Sequence, residues 1–354
     1  MNDRQQFGRR LDFEGGRVEL AHGAGGKASA QLTAELFAAA FDNPWLNAGN
    51  DAAVLALPAD LAGGGGRLVL STDGHVVSPL FFPGGDIGRL AVNGTVNDLA
   101  MLGARPLALA AAFILEEGFA LAELRRIVAS MAAAAREVGV AVATGDTKVV
   151  ERGQADRVFI TTTGVGVVPA GVAPAGDRAR PGDVVLVSGT MGDHGVAIMA
   201  CREGLGFETA LESDCAPLNT LVTDMLAVAP DIHVLRDPTR GGLAATLNEI
   251  AQQAGVGIVI NERALPIRPE VASACALLGL EPLDLANEGK LVAIVAREDA
   301  PGLLEVMRRH PRGSNAAIIG EVIADQHRFV QLVTEFGGRR IVGWLSGHPL
   351  PRIC

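Results

Sequence analysis

Residues 86–102, DIGRLAVNGTVNDLAML, and residues 107–115, LALAAAFIL, decide the fold class. The first reads as a helix and the second as an apolar strand. Upstream, LVLST (68–72) is strand-like; downstream come a helix over Leu121–Val138 and the strands AVATGDTK (141–148) and RVFITTTGVGVV (157–168). This alternation predicts an α/β half built on a mixed sheet. A second round follows. DVVLVSG (183–189) reads as a strand, GDHGVAIMACREG (192–204) as a short helix, and 217–228 and 241–254 as longer helices. VGIVI, KLVAIVA and NAAIIGEV supply more strands. Between the halves, residues 169–182, PAGVAPAGDRARPG, have no periodicity and mark a boundary. The expected organisation is an arm over 1–44, domains over 45–170 and 178–340, and a tail over 341–354. Within the arm, GAGGKAS (23–29) precedes a helical pattern from Gln31 to Phe41. The tail, ending LSGHPLPRIC, is rich in proline and is expected to be extended and mobile.

Of the 354 residues, 49% are hydrophobic and 20% charged, which excludes a disordered or fibrous chain. Lys plus Arg number 30 against 40 Asp plus Glu, a formal charge of −10. With no basic surplus to neutralise a phosphate backbone, nucleic acid is not an expected partner. The apolar run 107–115 falls short of the roughly 20 residues a bilayer requires, and no signal-peptide stretch opens the sequence. No membrane association and a cytoplasmic location are expected. Cys201, Cys215, Cys275 and Cys354 form no CxxC pair and read as thiols, the first three as buried packing residues. The 44 glycines lie in short clusters, which suits tight backbone turns around a ligand.

Five aspartates sit at strand ends or among Gly, Asn and Thr: Asp51 in GNDAA, Asp73 in STDG, Asp98 in VNDLA, Asp146 in TGDTK and Asp237 in RDPTRGG. Each alone suits a helix cap or an Asx turn; together they suggest a Mg²⁺-nucleotide site, because converging carboxylates need a cation to offset their repulsion. GAGGKAS, with Gly25, Gly26 and Lys27, suits phosphate through backbone N–H groups, but it departs from the P-loop pattern and suits a flexible arm equally well. Lys148 shares a strand face with Asp146, as a phosphate ligand or an ordinary exposed lysine. Arg240 precedes a helix N-terminus. Glu288 in ANEGK suits an acid or base, although the residues alone favour a simple turn charge. His22, His75 and His194 lie beside glycines without zinc spacing, so hydrogen-bonding roles are expected. Cys354, the last residue, is a ready nucleophile on a tail able to reach a cleft.

Taken in order, LAHGAGGKAS, STDG, LFFPGGDIGRLAVNGTVNDLAMLGARP, AAFILEEG, TGDTKVVERG, VSGTMGDHG, SDCAPL, LRDPTRGGL, LANEGKLV and the terminal PRIC closely resemble the HypE family of hydrogenase maturation proteins, from about residue 18 to residue 354. That family belongs with aminoimidazole ribonucleotide synthetase, selenophosphate synthetase and thiamine-monophosphate kinase. The resemblance implies a two-domain synthetase-like fold that binds ATP and Mg²⁺ and forms a homodimer through its N-terminal sheets. It implies that the carbamoyltransferase HypF loads a carbamoyl group on Cys354. ATP-dependent dehydration then gives a thiocyanate, and the cyanide passes to iron held by HypC and HypD. Carried over by motif, Asp51, Asp73, Asp98, Asp146 and Asp237 line the metal and nucleotide site. His22, Gly25, Gly26, Lys27, Asn97, Thr147 and Arg240 fall to the nucleotide, and Cys354, Lys148 and Glu288 to catalysis, with Glu288 as base. The superfamily's adjacent aspartate pair appears here as Asn50-Asp51, which leaves the number of metal ions open. A selenophosphate synthetase is disfavoured because no cysteine precedes Cys201. A pure carrier of the tail's cargo would hydrolyse no ATP.

Overall fold

The computed structural model describes residues 10–24, 27–47, 55, 58–62, 64–203, 211–344 and 352–354. Its first half contains β1 (Arg67–His75), α1 (Ile87–Met101), β2 (Arg105–Glu116), α2 (Leu121–Val138), β3 (Ala141–Val150) and β4 (Val158–Val168). These strands form a four-stranded sheet in the order β1-β4-β2-β3. β2 and β3 pair in parallel, joined across α2, whereas β4 runs antiparallel to both of its neighbours. The expected mixed sheet is present.

Helix α1 is apolar nearly all round, a pattern that requires burial on every side. Thirteen of its fifteen residues are buried. Asp86 caps it, accepting from the N–H groups of Gly88 and Arg89 at 2.8 and 3.0 Å. Gly88 lets α2 approach: a Cβ there would lie 2.4 Å from the Ile127 carbonyl. Both helices pack on one face of the sheet. On the other face, Leu68, Leu70 and Ile114 are exposed.

The second half contains β5 (Val184–Val187), α3 (Asp193–Glu203), α4 (Asn219–Val228), β6 (Val234–Arg236), α5 (Gly242–Ala254), β7 (Gly257–Asn261), α6 (Pro269–Leu278), β8 (Val292–Val295), α7 (Ala300–Arg309), β9 (Ala317–Ile323), β10 (Val330–Val333) and β11 (Arg339–Ile341). Its seven-stranded sheet runs β11-β10-β7-β9-β5-β8-β6, antiparallel except between β10 and β7. β5 is an uninterrupted apolar run because both its faces are covered. Val185 and Val187 enter one core with α5, while Val184 and Leu186 enter another with α4 and α7. Ala100 and Met101 at the end of α1 join that last core, so the helix belongs to both halves. Among the described residues no helix is long and apolar enough to cross a membrane.

Candidate functional site

The pleat of β1 sorts its side chains. Leu68 and Leu70 point to the open face, while Ser71, Asp73 and His75 turn toward α1. Ser71 Oγ donates to Asp98 Oδ2 at 2.6 Å. His75 is buried, with Nε2 3.7 Å from Asp73 Oδ2 and 3.3 Å from Thr162 Oγ1. Its burial lowers the imidazole pKa against the pull of Asp73. From the second half, the loop after β6 brings Asp237 and Arg240, whose guanidinium lies 3.9 Å from Asp73 Oδ1. Gly242 closes that loop at φ +60°, where a Cβ would lie 2.5 Å from the Leu283 carbonyl. Burial, then the Asp98 and Asp73 carboxylates, push the Asp237 pKa up to about 7. Asp98 is also raised, by its own burial first and by Asp73, with the Ser71 bond opposing. Asp73, Asp98 and Asp237 therefore repel one another across the cleft between the halves. Among the described residues, no three His, Cys, Asp or Glu side chains are grouped closely enough to hold a metal ion by themselves.

Glu288 stands at the inner end of this cleft and is 4% exposed. Its N–H donates to Asp214 Oδ1 at 3.0 Å, and Asp214 Oδ2 lies 3.1 Å from Lys290 Nζ. Asn287 fixes the same turn: its Nδ2 donates to the Pro238 carbonyl at 3.0 Å and its Oδ1 accepts from the Gly192 N–H at 2.7 Å. Glu288 is thereby tied to the Asp237 loop and to the entrance of α3. Its carboxyl pKa is raised well above the usual range by burial first, then by Asp214, Asp237 and Asp73. Glu288 Oε1 is buried without a hydrogen-bond partner among the described residues.

The chain terminus completes the cleft. Ile353 is 4% exposed in the core of the first half, a burial that favours seating by about 2 kcal/mol before the entropy of ordering is subtracted. The half-buried Cys354 thiol lies beside the Glu288 carboxyl, and its pKa is pushed up by burial and by that carboxylate, against Arg240. An extended tail is expected from the sequence; its last three residues are docked.

The cleft thus gathers Asp73, Asp98, Asp237, Arg240, Glu288 and Cys354. Another group lies elsewhere. His22, Asp146, Thr147 and Lys148 line a separate cavity of about 380 Å³, with Phe37, Phe41 and Phe113. Lys148 Nζ is 3.2 Å from Asp146 Oδ2, and both side chains are mostly exposed. His22 Nδ1 accepts from the Glu19 N–H at 2.9 Å, and burial lowers its pKa. Lys27 is exposed at the start of a helical stretch. Gly25, Gly26 and Asp51 lie outside the described residues. Asn97 differs from its expected nucleotide role. It is buried, with Nδ2 donating to the carbonyls of Ala216 and Glu288 at 3.1 and 3.3 Å and Oδ1 accepting from the Leu218 N–H at 2.8 Å. Its amide is engaged in holding the Glu288 turn. Cys201, expected to be buried, is exposed on α3, whereas Cys215 and Cys275 are buried. Sequence reasoning missed Asp214 and Asn287, although SDCAPL and ANEGK carry them.

Two domain families match the chain: AIR synthase related protein, N-terminal domain, over residues 49–168, and AIR synthase related protein, C-terminal domain, over residues 180–333. A Cupriavidus necator (strain H16) protein named carbamoyl dehydratase HypE is 64% identical over 348 residues, 98% of each chain. The crystal structure of a hydrogenase maturation protein HypE in complex with ATP superposes with a TM-score of 0.91 at 51% identity, covering 95% of this chain and all of that one. A HypE from a HypE–HypF complex superposes at 0.77, also with 51% identity, covering 89% of this chain and 99% of that one. With near-complete coverage by such relatives and both domains matched in order, the chain belongs to the HypE family of carbamoyl dehydratases, within the AIR synthase related proteins.

Proposed function

We propose that this chain uses ATP to dehydrate a carbamoyl group on the Cys354 sulfur to a thiocyanate, supplying the cyanide of [NiFe] hydrogenase iron. One observation carries the reading: the Cys354 thiol abuts a buried carboxyl whose second oxygen has no partner, so an N–H on the cargo would find an acceptor waiting. Amide oxygen is a poor leaving group. Transfer of the γ-phosphoryl group of ATP to that oxygen, with release of ADP, makes it a good one, and the nitrogen gives up a first proton as the O-phosphorylated C=N–H form is made. Glu288 then takes the remaining N–H proton, the C–O bond breaks, and phosphate leaves with the former oxygen. The raised pKa of Glu288 suits this role, since a base works best with a pKa near the working pH. Arg240, beside Asp73, is placed to hold phosphate oxygens.

The carboxylates of Asp73, Asp98 and Asp237 are hard oxygen donors whose mutual repulsion a cation would relieve, so they fit Mg²⁺. Too few to enclose the ion alone, they suit one that arrives with nucleotide phosphates, and Asp51 is assigned to the same group. When bound, Mg²⁺ neutralises charge on the transferring phosphoryl group.

The uncovered sheet face with Leu68, Leu70 and Ile114 supports homodimerisation. Asp146, Thr147 and Lys148 stand apart from Cys354 of their own chain, and we assign them to the nucleotide and carbamoyl end of a second copy's cleft. His22, Gly25, Gly26 and Lys27 fall on the nucleotide side. HypF loads the carbamoyl group, as the complex formed by a relative suggests, and HypC and HypD receive the cyanide in the cytoplasm. On this reading residues 1–44 are an arm, 45–170 and 178–340 the two domains, and 341–354 the delivering tail.

The test is the mass of the C-terminal peptide after incubation with a carbamoyl donor, HypF and Mg-ATP. A product one water lighter than the carbamoyl form is expected. A carbamoyl peptide that persists while ATP is intact and bound would overturn the reading.

A further inference from the structure

Every backbone carbonyl of the docked terminus is held. The Cys354 carbonyl accepts from the Val76 N–H at 3.0 Å, and the Arg352 carbonyl from the Ser78 N–H at 3.2 Å. The tail therefore runs alongside residues 76–78 in the opposite direction, as an added strand would. Arg202 on α3 donates to the Arg352 carbonyl and, through Nε at 2.6 Å, to the Ser78 carbonyl, so one guanidinium grips both segments. Between them, the Ile353 carbonyl is 2.7 Å from His194 Nε2. The Arg352 side chain pairs with Asp156.

His194 is fully buried against the edge of Phe82, with ring centroids 5.6 Å apart. Its Nδ1 lies 2.8 Å from Ser213 Oγ, which already accepts from the Cys215 N–H. Because the Ile353 carbonyl can only accept, the ring proton sits on Nε2, and Nδ1 of the neutral ring accepts from the Ser213 hydroxyl. Asp214 and Arg202 are the charged groups that act on the ring, in opposite senses, and burial keeps the imidazole neutral. None of these contacts involves the sulfur.

We propose that His194 and Arg202 are positioning residues that read the Ile353 and Arg352 carbonyls and so set the register in which Cys354 meets Glu288. The importance of that register for dehydration rests on the proposed function; the docking does not. The experiment is alkylation of the full-length chain by iodoacetamide without nucleotide, followed by the mass of each cysteine peptide. In the native chain Cys354 is expected to react slowly. His194→Ala and Arg202→Ala each remove a hydrogen bond from the terminus and should speed its alkylation about tenfold. Buried Cys275, which packs with Val196 of α3, should stay protected in both and so exclude general loosening. His194→Gln, which restores a side-chain N–H, should recover slow alkylation. Unchanged Cys354 reactivity in both alanine variants would overturn the proposal, as would a glutamine variant as reactive as His194→Ala, which would mark the ring as mere packing. Protection that follows the expected pattern in a chain that makes no thiocyanate would leave the docking standing and remove the proposed function.

Discussion

The half-buried Cys354 thiol lies beside the buried Glu288 carboxyl, although 66 positions separate them in the chain. The carboxylate disfavours a thiolate, and burial with the neighbouring Asp214, Asp237 and Asp73 disfavours the carboxylate. A free thiol docked here is a poor nucleophile. On the proposed function, cargo is therefore loaded while residues 352–354 are undocked.

Replacing Cys354 with Ala should abolish thiocyanate formation while leaving the thermal midpoint and ATP binding close to the native values. Calorimetry and a nucleotide-binding titration on the variant check this, beside the peptide mass.

Glu288→Gln keeps the shape of the pocket but removes the proton acceptor. Loss of a general base costs roughly 10²–10⁴ in rate, so the carbamoyl peptide should accumulate. Because the Glu288 pKa is raised, the acidic limb of the native rate profile should lie above the ordinary glutamic acid value of about 4.3, with activity rising as the group ionises. A single-turnover pH series reads both effects.

Asp237 predicts a dependence of stability on pH. Its folded pKa of about 7 exceeds the ordinary aspartate value of 3.8, so between those values the folded chain binds more protons than the unfolded one. Stability from this group is fully present below about pH 4 and is lost as pH rises through 7, by at most about 4 kcal/mol. Asp237→Asn should flatten that slope, and Mg²⁺ with nucleotide should counter it at pH 8. Denaturant melts at pH 5 and pH 8, with and without Mg-ATP, measure the difference.

Asn287 joins the Glu288 turn to the Asp237 loop and to the start of α3. Asn287→Ala leaves buried backbone groups unpaired and should cost about 1–3 kcal/mol in stability. Dehydration should fall further than the stability loss explains, because the base is released from its position. Urea titration and turnover on one preparation separate the two.

Assignment of Lys148 to a second copy predicts complementation. Lys148→Ala and Cys354→Ala homodimers should each be inactive or nearly so. Mixed and allowed to exchange subunits, they should recover part of the native activity, since one cleft of each heterodimer then contains both groups. No recovery despite proven exchange would place Lys148 in its own chain's cleft.

Much of the architecture could be read in advance. The helix over 121–138 and the strands 67–75 and 184–187 announce themselves through period and apolar content. Helix α6 and strands β10 and β11 give no clear signal, because PEVASACALL is apolar without clear period and VQLV is too short to stand out. At the site, the aspartate motifs located Asp73, Asp98 and Asp237, but the division between two cavities was not legible: TGDTK and STDG look alike in sequence and diverge only in three dimensions. Asn97 is hard to read from sequence for a related reason. An asparagine in a motif gives no sign of whether its amide faces a ligand or, as here, three backbone groups of its own chain. Asp214 was overlooked because a buried acid bonded to a neighbouring turn has no local signature.

Helix α1 anchors the first core along most of its length and contributes Ala100 and Met101 to a core of the second half. Swinging one half against the other like a jaw would pull those side chains from close-packed surroundings. Entry and exit of the reacting group then cannot depend on such a hinge. On the proposed function they fall instead to the docking and release of residues 352–354, which makes the polymer's own end the gate.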